Sequence, residues 1–110
     1  MAYDEELRRR VRDELGGGTA GIEEKPVVGG IGFMWRGHLL CGVMGDALLV
    51  STARDDYEAL LGEPGARPMV MGGRTSRRWL LVDGATVAGA PALRTWIDRA
   101  RAYVGSLPPK

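Results

Sequence analysis

The chain is 110 residues long, with 45% apolar and 26% charged residues and a formal net charge of +1 at pH 7. That composition argues against long disorder, and the balance of 15 basic against 14 acidic side chains argues against a nucleic-acid binder that works through overall charge. A chain of this length buries about 65% of its surface, enough for one core, so a single domain over residues 1–110 is expected.

The first element is a helix. Asp4 is placed to cap it, and Glu5 and Glu6 sit where the helix dipole favours negative charge. Tyr3, Leu7, Val11 and Leu15 form a narrow apolar stripe, while Arg8, Arg9, Arg10 and Arg12 read as a solvated face. Glu5 with Arg9 and Glu6 with Arg10 have the favourable i,i+4 orientation. The run Gly16-Gly17-Gly18 ends the helix.

The period then changes. Ile31, Phe33 and Trp35 alternate with Gly32 and Met34, which is strand spacing. Arg36-Gly37 reads as a tight turn and His38 to Met44 as the return strand. Gly45-Asp46 forms a second turn, with glycine first as a II′ hairpin needs, and Ala47 to Ser51 is a third strand. Ile22 to Val28 adds another strand, which Pro26 confines to an edge.

A short helix follows, with Asp55 and Glu58 as a capping box, Tyr57, Leu60 and Leu61 as its apolar face, and Gly62 as its stop. Residues 62–68 read as loop. Met69 to Met71 and Trp79 to Val82 are short strands, with a polar basic loop, Gly72 to Arg78, between them. In the last helix Pro91 suits the first turn. Leu93, Trp96, Ile97, Ala100 and Val104 give a full apolar face. The expected fold is α+β: an antiparallel meander of three or four strands plus short strands, with N-terminal, middle and C-terminal helices.

The chemistry available is sparse. Cys41 is the one cysteine, so no internal disulfide forms, which fits a reducing compartment. The acidic N-terminus is no signal peptide. The longest apolar run, Ala47 to Val50, is far too short to span a bilayer, and a cytoplasmic protein is expected. His38 lies three residues from Cys41, an odd separation that puts the two on opposite faces of a regular strand. Cys41 therefore reads as a core filler and His38 as a half-exposed strand-end residue. One cysteine and one histidine are too few for a zinc site. Gly30-Ile31-Gly32-Phe33-Met34-Trp35 lacks the last glycine of a dinucleotide fingerprint and sits on a strand. Gly72-Gly73-Arg74-Thr75 lacks the lysine of a P-loop. No Gly-x-Ser-x-Gly elbow is present. No catalytic residue, cofactor or metal is expected.

What remains is the segment Arg67 to Arg78. It carries Arg67, Arg74, Arg77 and Arg78, with no acidic residue. Such a loop suits a phosphate or an acidic surface. His38 and Trp35 are the other candidate binding residues, Trp35 as a stacking surface beside its turn. Trp79 reads as core.

Several segments taken together resemble the N-terminal domain of the TfoX/Sxy family of competence regulators. They are Glu24-Lys25, Gly29-Gly30-Ile31-Gly32-Phe33-Met34, Gly37-His38, Cys41-Gly42-Val43 and Asp46. Further on come Tyr57-Glu58, Arg67-Pro68-Met69, Gly73-Arg74, Val82-Asp83, Leu93 with Trp96, and Ser106-Leu107-Pro108-Pro109-Lys110. Where that family usually shows a Met-Phe pair, this chain has Pro26, Val27 and Val28. The resemblance implies an α+β domain, here without the C-terminal helical domain of the longer regulators. It implies no catalytic residues. It also implies a non-enzymatic regulatory or adaptor role, acting by contact with another protein, which in the founding members belongs to the transcription machinery and includes the cyclic-AMP receptor protein. The alternative is a small anionic-ligand or weak nucleic-acid binder using the Arg67–Arg78 loop. A homodimer through the apolar sheet or the edge near Pro26 is compatible with either.

Overall fold

Asp4 starts the first helix, α1 (Glu5–Gly16), as its sequence requires. Its Oδ1 accepts hydrogen bonds from the backbone N–H of Glu6 at 2.9 Å and of Leu7 at 3.2 Å. The structure, a computed structural model, describes residues 3–16, 21–27 and 29–109. Met1 and Ala2, the Gly17-Gly18 part of the glycine run, Val28 and Lys110 lie outside the described residues. Leu7, Val11 and Leu15 are buried and Tyr3 packs beside them, so the stripe is the buried face of α1.

The arginines behave differently from the expected i,i+4 pairs. Glu5 and Glu6 pair at i,i+3 with Arg8 (3.1 Å) and Arg9 (3.7 Å). Arg8 also reaches Glu24 at 2.8 Å, and Arg10 donates to the carbonyls of Val87 and Ala88. Arg12 lies 3.8 Å from the same Glu24, so three arginines of the run, Arg8, Arg10 and Arg12, fasten α1 to other segments and are not simply solvated.

Six strands form one antiparallel sheet: β1 (Glu23–Val27), β2 (Gly30–Trp35), β3 (His38–Met44), β4 (Ala47–Ser51), β5 (Ala66–Met71) and β6 (Arg74–Val82). Their order is β1-β2-β3-β4-β6-β5. The first four are the expected meander, and β1 with its proline is at an edge. Arg36 and Gly37, with φ of 57° and 83°, turn β2 into β3 as a I′ pair. At the next turn Gly45 has φ of 60° and Asp46 does not, the expected II′ pattern.

The second half of the sheet corrects the sequence reading. Ala66, Arg67 and Pro68 are already strand. The segment Gly72 to Arg78 is not a loop but the Gly72-Gly73 turn followed by the start of β6. Its first residues, Arg74 to Arg78, run past the end of β4, which pairs with β6 only from Trp79 onward. Paired there with β5 alone, this segment has little to bury, and so shows no apolar alternation. The capping box also fails. A single 3-10 turn, Arg54–Asp56, leads into α2 (Tyr57–Leu61), and no side chain caps it. Tyr57 is buried, with its hydroxyl lacking a hydrogen-bond partner among the described residues.

The third helix, α3 (Ala90–Gly105), lies against β3 and β4, and α1 packs on α3 and β3. Its Leu93, Trp96, Ile97, Ala100 and Val104 meet Phe33, Cys41, Val43, Leu48, Val50, Leu80 and Val82 in one core. On the opposite face of the sheet Gly32 leaves a trough that its neighbours fill. A Cβ there would lie 2.5 Å from Leu39 Cδ1 and 3.0 Å from Val27 Cγ1. Leu49, on that same face by alternation, is only 1% exposed, so β4 is buried on both sides.

Candidate functional site

His38 and Cys41 are where an irregularity matters most. The β2–β3 register shifts between Phe33 and Met34: Phe33 pairs with Cys41, Met34 with Leu39, and Trp35 with His38. The extra residue, Leu40, reverses the alternation. His38 and Cys41 therefore share the helix-covered face, against the expectation from their odd spacing. They nevertheless do not form a pair. Cys41 is fully buried in the core, whereas His38 Nε2 lies 2.8 Å from the carbonyl oxygen of Pro108, beyond the end of α3. As donor to that carbonyl, Nε2 carries the ring proton in the neutral imidazole.

Burial pushes the Cys41 thiol up to about 12 from its ordinary 9.0, with the charge of Arg101 acting the other way. A thiol held neutral inside a core is a poor nucleophile. Iodoacetamide at mildly alkaline pH should leave native Cys41 unmodified and alkylate it once urea has unfolded the chain. Fast alkylation of the native protein would contradict its burial. The same shift fixes a sign. The unfolded chain releases this proton near 9.0 and the folded chain only near 12, so this contribution to stability is whole below pH 9 and is lost as pH rises toward 12.

The six predicted binding residues do not converge. Arg67 is on β5 in an ion pair with Asp83 at 2.7 Å. Arg77 faces Glu58 of α2 at 3.6 Å. Arg74 is exposed just after the Gly72-Gly73 turn. Trp35 is no open stacking surface: the Arg36 guanidinium sits 5.6 Å from its ring centroid, and a Cβ on Gly105 would lie 3.4 Å from its Cη2. Two pairs do meet, Arg77 with Arg78 and His38 with Arg78. With Met34, Gly37, Leu39, Ser51, Trp79, Tyr103, Val104 and Leu107, His38 and Arg78 line a cleft of about 430 Å³. A second basic cleft of about 400 Å³ collects Arg54, Thr75, Ser76, Arg77 and Arg78.

The first cleft exists because three local features coincide. The β2–β3 turn, β6 where it overshoots β4, and the residues after α3 meet at one end of the sheet. Arg36 Nη1 donates to the Gly105 carbonyl at 2.9 Å, and His38 binds Pro108. These two bonds hold the segment after α3 in place, so that Leu107 forms one wall. Ser51 Oγ donates to the Leu40 carbonyl at 2.9 Å. Trp79, read from sequence as core, is half-buried and lines the cleft; Trp35, read as the surface ring, does not. Tyr103 was missed altogether. Its position next to the apolar face of α3 was the only available signal.

Among the described residues, no group of three or more His, Cys, Asp and Glu side chains could hold a metal ion. No described helix is long and apolar enough to cross a membrane. Comparison with known proteins gives one finding. The family model described as TfoX N-terminal domain matches residues 14–103. No curated protein and no solved structure matches the chain.

Proposed function

The chain belongs to the TfoX N-terminal domain family, and on that premise we propose that it is a non-enzymatic regulatory or adaptor protein that acts by contact with another protein. The observation that carries this is the extent of the match, residues 14–103 of 110. The state of the reactive groups supports it. The one thiol is buried and held protonated, and one nitrogen of the single imidazole is committed to Pro108.

We further propose that the partner belongs to the transcription machinery, that the chain works in the cytoplasm, and that it does so as one domain over residues 1–110. The test is affinity capture. The full chain, immobilised and exposed to native cell extract, should retain RNA polymerase or a promoter-binding regulator, which should then bind the purified chain directly. Retention of no transcription-related protein would overturn the proposal, as would turnover of a metabolite by the purified chain.

A further inference from the structure

We propose that the cleft between the β2–β3 turn, β6 and the end of α3 is a binding site for a small aromatic carboxylate. Its volume of about 430 Å³ falls in the usual range for small-molecule sites. The walls are mostly apolar: Met34, Leu39, Val104 and Leu107 surround the half-buried rings of Trp79 and Tyr103. Apart from His38, Arg78 is the one titratable side chain other than Tyr103 in that lining, and no carboxylate is among the lining residues.

The charge of Arg78 separates it from its neighbours. Arg67 and Arg77 are each answered by an acidic side chain, Asp83 and Glu58. The Arg78 guanidinium has no ion-pair partner among the described residues. Ser51 already donates its hydroxyl proton to Leu40, and His38 Nε2 is spent on Pro108, so neither of those groups competes with Arg78 for an anion. The exposed Arg78 guanidinium at the rim offers a fork that matches a carboxylate in two parallel hydrogen bonds. The rings of Trp79 and Tyr103 offer faces for a flat apolar body. One cation and an apolar-aromatic wall together select a monoanion attached to a ring. A polyphosphate or a nucleic-acid strand would ask for several cations in a row.

The test uses 2-naphthoate as probe and the full chain, read by amide and indole chemical shifts at low ionic strength. Shifts should cluster at His38, Ser51, Trp79, Tyr103 and Leu107. Arg78→Gln should weaken binding about tenfold or more, the loss of one charge-assisted pair. Arg74→Gln should leave it unchanged, and 2-naphthamide should bind the unaltered chain about as weakly as 2-naphthoate binds the Arg78→Gln variant. The variant's remaining spectrum reports that it is folded. Equal affinity of the two arginine variants, shifts centred on Arg54 and Arg77, absence of shifts, or response of the cleft only to an oligonucleotide would each overturn the proposal.

Discussion

Gly30→Ala is expected to remove a large share of the folding free energy, leaving a protein that is poorly soluble or unfolds at a clearly lower urea midpoint. A Cβ at Gly30 would lie 1.8 Å from the carbonyl oxygen of Val43 and 2.9 Å from its carbonyl carbon. Both are backbone atoms of β3, in the ladder that places Ile31 and Val43 in the core. A flexible side chain could swing aside; this carbonyl cannot without parting the strands. Overpacking that forces backbone shifts costs about 3 kcal/mol or more, against roughly 5–15 kcal/mol for a whole domain. Gly16→Ala is the control. That site, at the end of α1, has no atom of the described residues within 4 Å of the new carbon. Alanine there should change the urea midpoint little or raise it, by up to about 1 kcal/mol in helix propensity. Equal midpoints for the two variants would show that β2 and β3 are not so closely apposed.

Phe33→Ala should cost about 3–5 kcal/mol, lowering the urea midpoint with little change in slope. Phe33 is the chain's one phenylalanine, 0% exposed, and it stands on β2 between Glu24 and Cys41 of the flanking strands. Its ring belongs to the core beneath α1 and α3, so alanine leaves a void that a paired strand cannot move to close. Phe33→Leu, which keeps most of the volume, should recover more than half of the loss. If alanine and leucine cost the same, the ring is not packed as described.

The two predictions draw on parts of the chain whose sequence was easy to read. Alternation marked β2, and the i, i+3, i+4 spacing marked α3, because each element buries one face and exposes the other. Legibility failed where burial did not dictate sequence. Arg74 to Arg78 form a strand that overshoots β4, so a run of polar residues reads as loop. Asp55 and Glu58 have the spacing of a capping box, but the 3-10 turn at Arg54–Asp56 takes its place. The bulge at Leu40 inverted the inference about His38 and Cys41, since parity arguments hold only along an unbroken ladder.

The cleft was harder still. Its lining comes from residues 34, 37–39, 51, 78–79, 103–104 and 107. No local motif joins them; the folding of the sheet end does. Charge alone made all four arginines of the Arg67–Arg78 segment look equivalent. Only the positions of Asp83 and Glu58 distinguish Arg78 from Arg67 and Arg77.

One strand differs from the others in how it is enclosed. Every residue of β4 is buried, and ladders to β3 and β6 flank it on both sides. Fraying from either margin of the sheet, at β1 or β5, leaves those two ladders intact. Deuterium can therefore reach the amides of β4 only when the entire molecule comes apart, which makes this strand an internal gauge of global stability, while the marginal strands register only partial openings.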